Sequence, residues 1–120
     1  MIYNRIMLLV RKKITLSELK TMSAKMFDTL VKAVVDVKKE IMVVDAPMHS
    51  DEEAELIKNG SKQEDLWGIN FYPEEKKDFV EFDSMINLKP NQNNRSRGVE
   101  DKITRKKIIE IVNKLVQKWK

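Results

Sequence analysis

Two pairs of β-branched and aromatic runs constrain the fold more than any other feature of this chain. In "KAVVDVKKEIMVVDA" two apolar runs flank a short charged stretch, which is the pattern of a β-hairpin. "DLWGINFY" and "FVEFDSMINL" repeat that arrangement around "PEEKKD". Hairpins pair their strands antiparallel, so the sequence predicts strands near 33–38, 41–46, 65–72 and 79–88 in one antiparallel sheet.

Two segments carry the signals of amphipathic helices. "TLSELKTMSAKMFDTL" has apolar residues at helical spacing, and Thr15 with Glu18 forms a capping box, which predicts a helix over about 15–30. "SDEEAELIKNG" predicts a shorter helix, in which Ser50 and Glu53 form a second capping box. Its acidic first turn complements the positive end of the helix dipole.

The ends of the chain complete the order of elements. Gly60 suits the position just after the short helix. Residues 2–10, "IYNRIMLLV", are apolar and β-branched enough for a strand, with a helix as the alternative. "DKITRKKIIEIVNKLVQKWK" predicts a long amphipathic helix whose apolar stripe ends at Trp119. The order β-α-β-β-α-β-β-α predicts an α+β fold, an antiparallel sheet of about five strands with helices packed on one face.

Length and composition limit the classes of protein to consider. The chain has 120 residues and no cysteine, so we expect one domain over 1–120, without disulfides or thiolate metal ligands. No apolar run reaches the ~18 residues that span a bilayer. In "MIYNRIMLLVRKK" the charges follow the apolar stretch, which is the reverse of a secretory signal. We therefore expect a cytoplasmic protein with no membrane partner.

The charges are distributed unevenly along the chain. The formal net charge is +4, but residues 48–85 carry four basic and eleven acidic residues, and residues 86–120 carry ten basic and three acidic ones. The two parts could solvate different faces or pair with each other. The functional alternative is a basic face for an anionic partner.

Two polar stretches also carry a family resemblance. "GSKQEDLWGIN" and "EFDSMINLKPNQNNRSRG" place polar residues at unusual positions within apolar segments. With the surrounding residues, roughly 14 to 116, they resemble a family of short prokaryotic proteins known only as a domain of unknown function. The resemblance implies a self-contained small domain, and it implies no activity.

The loop 88–101, "LKPNQNNRSRGVED", is the most site-like stretch. Its arginines lie before the N-terminus of the last helix, where free N–H groups and the helix dipole favour an anion. Glu100 and Asp101 argue against this because acids already occupy that helix end, and a hydrogen-bonded structural loop is the alternative. The candidate anion-binding residues are Arg95, Arg97, Asn93, Asn94 and Arg105.

A second candidate site centres on His49, the only histidine. As a general base it could act with Asp45, Asp51 or Asp83, and as a structural residue it would pack at the start of the short helix. Asp36, Asp45 and Asp83 interrupt strands, so they either face solvent or converge as a carboxylate cluster. With neighbouring carboxylates the histidine could also bind Mg²⁺, Mn²⁺ or Zn²⁺. A structural zinc site is not expected with one histidine and no cysteine, and no paired-ligand spacing supports a metal site.

Two asparagines and a glycine are best explained by structure. Asn70 and Asn87 break apolar runs, and buried amides that bridge neighbouring strands would account for both. Gly68, beside the predicted core residue Trp67, indicates a bulge or a close approach of the backbone.

Three functions remain open at this point, and the sequence identifies no cofactor. The first is an anion- or phosphate-binding module that uses the loop 88–101 and the C-terminal helix, with a phosphate-bearing ligand or nucleic acid as partner. The second is a protein–protein interaction or homodimeric protein, because seven methionines suit an adaptable apolar surface. The third is a small hydrolytic enzyme based on His49 and nearby carboxylates.

Overall fold

The computed structural model describes residues 7–118, which form seven strands and three α-helices. The strands are β1 Leu8–Val10, β2 Ile14–Thr15, β3 Val31–Asp36, β4 Ile41–Val44, β5 Leu66–Phe71, β6 Val80–Glu81 and β7 Val116–Gln117. The helices are α1 Leu16–Met26, α2 His49–Lys58 and α3 Lys102–Leu115. Short 3-10 helices cover Gln63–Asp65, Met85–Asn87 and Pro90–Gln92.

The main sheet confirms the predicted α+β class and its antiparallel pairing. Five strands lie in the order β1-β4-β3-β5-β6, and every neighbouring pair is antiparallel. The β3–β4 hairpin follows from the two β-branched runs of the sequence, and β5 pairs with β3 along its whole length. A separate two-residue parallel pair joins β2 to β7.

The helices cover both faces of this sheet, so the expectation that they pack on one face is wrong. Ala33 and Val35 face the core formed with α1 and α3, whereas Val34 faces a second core that contains Leu56 of α2. β3, β4 and β5 are apolar on both sides, so each face needs a cover. The pattern of a strand buried on both sides was present in "AVV" and "IMVV".

The starts of the helices match the sequence in one case and differ in the other. The Thr15 hydroxyl accepts from the Glu18 N–H, and the Glu18 carboxylate accepts from the Thr15 N–H, which confirms the first capping box. The second box is wrong, because α2 already begins at His49 and its N-cap residue is Met48, which makes no side-chain cap. Gly60 follows this helix with φ of 98°, as expected.

The strand predicted over 79–88 is mostly absent. β6 is two residues long, and Ser84 then caps a 3-10 helix by accepting a hydrogen bond from the Ile86 N–H.

Most of the segment predicted as a strand over 2–10, and Trp119, lie outside the described residues. Within 7–118 no helix has the length and apolar character needed to cross a membrane.

Candidate functional site

Polar side chains line up across the face of the sheet that α2 covers. Lys32 of β3 is the register partner of Asn70 in β5, and Asn70 is the partner of Glu81 in β6. The Asn70 amide donates to the Glu81 Oε1 at 2.9 Å and to the Asp83 carbonyl at 3.2 Å. Both partners are acceptors, which fixes the amide nitrogen on that side and leaves Oδ1 on the other.

His49 lies beside this row, at the first residue of α2. Its Nε2 is 2.8 Å from the carbonyl oxygen of Ile69. A carbonyl only accepts, so Nε2 carries the proton and Nδ1 is the basic nitrogen. Burial lowers the pKa of His49 below its usual 6.5; the Ile69 carbonyl and Asp83 oppose this, and Lys32 and Arg97 add to it. The ring is therefore neutral at neutral pH.

Gly68 makes room for His49. A Cβ at this position would lie 2.5 Å from the Ser84 Cβ and 3.2 Å from the His49 Cδ2. This confirms the close approach expected from the sequence. The imidazole turns a carbon, Cδ2, toward Gly68 and its proton-bearing Nε2 toward Ile69.

Arg97 reaches the same region from the loop 88–101. Its Nε donates to the Asp83 Oδ1 at 2.6 Å, and both side chains are about half exposed. Lys32 makes no hydrogen bond or ion pair with any residue in 7–118, and its ammonium lies 5.3 Å from the centre of the Phe27 ring. We call Lys32, His49, Asn70, Asp83 and Arg97 the polar face.

The other carboxylates that the sequence pairs with His49 lie in two different surroundings. Asp45 lies one residue past β4, buried and at a φ of 76°, and it raises the pKa of Glu52. Asp51 is exposed and lines a groove beside α2 with Pro47. Of the predicted catalytic residues, the structure thus brings His49 and Asp83 together. Among residues 7–118, no three His, Asp or Glu side chains converge closely enough to hold a metal ion.

Asp36 belongs to the hairpin rather than to a carboxylate cluster. It is fully buried at the far end of β3 from Lys32. Its Oδ1 accepts from the backbone N–H groups of Lys38 and Lys39, and its Oδ2 accepts from the Ser61 hydroxyl at 2.6 Å. The side chain is an acceptor for the turn and for the segment after α2.

Two buried asparagines organise the loop 88–101. The Asn87 side chain accepts from the Gly68 N–H and donates to the carbonyls of Gly68 and Arg97. It is the buried bridging amide that was predicted, but it joins β5 to the loop and not two strands. The Asn94 amide donates to the carbonyls of Asn87, Ser96 and Gly98, and its oxygen accepts from the Glu100 N–H. All the hydrogen-bonding groups of the Asn94 side chain are therefore used by the loop and by Asn87 just before it.

The remaining candidates for the anion site differ in how far their side chains are already engaged in contacts within the fold. Arg105 donates twice to the Val99 carbonyl, so its guanidinium holds the loop against α3. Asn93 is exposed and ends a 3-10 helix at a φ of 60°. Arg95 is exposed, and in the described part of the chain its one hydrogen bond is from its backbone N–H to the Glu100 carboxylate. Asp101 caps the N-terminus of α3 through Thr104.

Sequence reasoning missed two members of the polar face. Lys32 was not selected, and Asn70 was read only as a structural amide. A signal for Lys32 existed, because it is the single charge before Asp36 in "VKAVVD", a strand that is otherwise apolar. A lysine in a strand buried on both sides requires a polar neighbourhood. Nothing in the sequence connected it with Arg97.

Comparison with known proteins places the chain in a family. Residues 8–115 match the family described as protein of unknown function (DUF5674). The chain belongs to this family. The match spans both cores, the polar face and the loop 88–101, so the whole site is part of the DUF5674 domain. No curated protein and no solved structure matches the chain.

Proposed function

We propose that this DUF5674 protein binds a small anionic group, a phosphate or a carboxylate, at the polar face. The observation that carries the proposal is a chain of contacts between two cations that are far apart in the sequence. Lys32 is the register partner of Asn70, the Asn70 amide donates to the Asp83 carbonyl, and the Asp83 carboxylate holds Arg97. Two cations brought together by a fold form a site suited to an anion.

The donors needed for such a ligand are available. Lys32 has three N–H groups and no carboxylate partner among residues 7–118. Within residues 7–118 Arg97 is engaged through Nε alone, by Asp83, so its two terminal amino groups remain for a forked contact. Burial raises the pKa of Glu52 on the same face well above its usual value, so this side chain opposes an anion less than an exposed carboxylate would.

A small ligand fits the structure better than an extended nucleic acid. A protein that follows a phosphate backbone uses a series of free basic side chains. On α3, Lys107 and Lys114 both donate to the Glu40 carboxylate, at 2.8 and 2.9 Å, and Arg105 is bound to Val99. The basic C-terminal third is thus partly committed to contacts within the fold.

Isothermal titration with phosphate and with acetate tests this proposal. We expect Lys32→Gln and Arg97→Gln each to raise the Kd about tenfold or more, because each removes a charge-assisted hydrogen bond. Arg95→Gln is the matched control, since Arg95 lies on the same loop and should change the Kd less than about twofold. An equal loss in all three variants would contradict the polar face as the site.

A second function is favoured by the tautomer of His49. With Nε2 bound to the Ile69 carbonyl, Nδ1 is a base that is already deprotonated at neutral pH. Next to bound phosphate or carboxylate it could take a proton from an attacking water, as a small hydrolase requires. Asp83, which raises the pKa of His49, would stabilise the imidazolium that forms.

Hydrolysis of p-nitrophenyl phosphate and p-nitrophenyl acetate tests this second function. We expect His49→Gln to lower the rate about a hundredfold, the usual scale of a general base. The wild-type rate should rise with pH through an apparent pKa below 6.5, since burial lowers the pKa of His49. Ser50→Ala, on the exposed neighbour, is the control, and a rate independent of His49 would exclude the hypothesis.

Two expectations from the sequence stay predictions. A cytoplasmic location rests on the absence of cysteine. A protein partner or a homodimer rests on the methionine content; Met85 and Ile103 are exposed, at 63% and 79% of their surface.

A further inference from the structure

The two edges of the main sheet differ in how they are protected against pairing with another strand. At one edge, β6 is two residues long, carries Glu81 and is soon followed by a 3-10 helix. At the other edge, β1 pairs with β4 on one side, and within residues 7–118 no strand pairs with its other side. Such an edge presents its free N–H and C=O groups to any further strand.

The side chains of β1 add apolar surface to this edge. The strand has no charged residue and no proline, which are the common ways of protecting an edge. Met7 and Leu9 are half-buried against the core that contains Leu56, and Val10 is buried in the other core. Leu8 remains 38% exposed. Backbone groups and apolar surface exposed together are typical of an edge to which another strand is added.

Charged side chains of opposite sign lie at the two ends of this edge. Arg11 and Lys12 directly follow β1 and are exposed, and neither side chain forms a hydrogen bond or an ion pair with a residue of the described part of the chain. Beside the start of β1, Asp51 and Glu55 of α2 line a groove with Met7; Lys58, two turns after Asp51, completes its basic lining. The edge is therefore acidic where β1 begins and basic where it ends.

An antiparallel pairing of β1 with the same strand of a second copy brings these opposite charges together. With Leu9 on the two-fold axis, Leu8 lies opposite the second copy's Val10, and Met7 lies opposite the second copy's Arg11. Residues that lie opposite each other project from the same face of the sheet. Arg11 of each copy thus reaches the groove that Met7 lines in the other. A parallel pairing would instead place like charges side by side.

We propose that β1 is a self-association surface, at which two copies of this chain pair through antiparallel β1 strands and join their five-stranded sheets into one. A second copy fits this edge because its charge pattern is complementary to itself, and the two-fold axis forms every contact twice. The exposed charges determine the direction and register of the pairing, whereas the strand hydrogen bonds and the burial of Leu8 provide the affinity.

The proposed contact is small and independent of the anion site. A pairing of one short strand lies at the lower end of interface sizes, so we expect a reversible dimer with a Kd of about 10–100 μM. The edge formed by β1 lies across the sheet from β6, which precedes Asp83 and Arg97. The proposal therefore goes beyond anion binding at the polar face and does not rest on it.

Sedimentation velocity of the full chain from about 5 to 500 μM tests the proposal, with two charge-reversed variants. Arg11→Glu with Lys12→Glu makes both ends of the edge acidic, and Asp51→Lys with Glu55→Lys makes both ends basic. Each double variant alone should have a dimer Kd about tenfold higher or more, because like charges then meet at both ends. Mixed in equal amounts, the two variants should form a heterodimer at least as tight as the wild-type dimer.

Two further variants control for charge and for the apolar contact. Lys102→Glu with Lys106→Glu makes the same change in net charge on exposed positions of α3, and should leave the dimer Kd within about twofold. Leu8→Lys places a lysine on the edge strand, which is a natural protection against pairing, and should weaken the dimer about tenfold. Thermal unfolding confirms that each variant is folded.

Any of three results would overturn the proposal. The first is a wild-type protein that stays monomeric up to about 500 μM. The second is an unchanged dimer in the variant with Arg11→Glu and Lys12→Glu, which would place the contact elsewhere on the surface. The third is a mixture of the two folded charge-reversed variants that forms no heterodimer by native mass spectrometry. Phosphate affinity is measured on the same variants and should not change, so this proposal and the anion site fail separately.

Discussion

At the scale of single residues, the completeness of hydrogen bonding separates structural amides from site amides. Asn87 is fully buried, and its side chain makes three hydrogen bonds to the backbone of two segments. Asn70 is almost as buried, but its oxygen has no partner among the described residues. A buried acceptor without a donor costs stability, so its presence points to a role other than folding.

Glu52 allows a prediction about a single buried carboxyl. It is fully buried in α2, its Oε2 accepts from the Ala46 N–H at 3.1 Å, and its Oε1 has no partner among residues 7–118. Burial is the main reason that its pKa is raised, Asp45 and Asp51 add to this, and the Ala46 N–H and Lys32 oppose it. Glu52 therefore keeps its proton in the folded protein at pH values where the unfolded chain has lost it.

The consequence is a stability that falls as pH rises above about 4.5. Glu52→Gln retains an oxygen for the Ala46 N–H and cannot ionise, so we expect the variant to be more stable at pH 8 by about 1–3 kcal/mol. At pH 4 the two proteins should have similar stability. Urea unfolding at both pH values measures this, with Glu55→Gln as control on the same helix. A variant that is less stable at pH 8 would mean that Glu52 is ionised.

At the scale of elements, the sequence predicts those parts whose pattern is local. The runs that form β3, β4 and β5 and the cap at Thr15 were predicted because each depends on neighbours in the chain. The segment after β6 was mispredicted because "FVEFDSMINL" alternates like a strand. In the structure the Asn87 side chain takes the hydrogen bonds of Gly68 that a longer β6 would have made. That exchange depends on a residue distant in sequence, so no local pattern shows it.

The candidate site was predictable to a similar extent. His49, Asp83 and Arg97 were selected by residue type, and the fold brings these three near one another. Lys32 joins them through the register of β3 with β5, which a single sequence does not determine. Arg105 and Asn94 were predicted to bind an anion through their N–H groups. In the structure those groups donate to carbonyls of the loop and stabilise it.

At the scale of the whole molecule, Glu40 connects the sheet to the helix layer on one of its faces. It ends the β3–β4 turn at a φ of 58°, and its two oxygens accept from Lys107 and Lys114 on α3. Hydrogen bonds from Lys107 and then from Lys114, with their charges, lower the pKa of Glu40 from 4.5 to about 2. These contacts join segments more than sixty residues apart in the chain.

The loss of folding stability at acid pH should therefore depend on Glu40. A lowered folded pKa gives stability that is present above about pH 4.5 and is lost as the pH falls toward 2. We expect Glu40→Gln to lower the Tm by a few degrees at pH 7, since the pairs are largely solvent-exposed, and to leave it unchanged near pH 2. Glu110→Gln is the control, and Glu40→Asn, which tolerates the positive φ better, should recover part of the loss. Equal Tm values for the wild type and Glu40→Gln across pH 2 to 7 would show that α3 is held on the sheet by its apolar contacts alone.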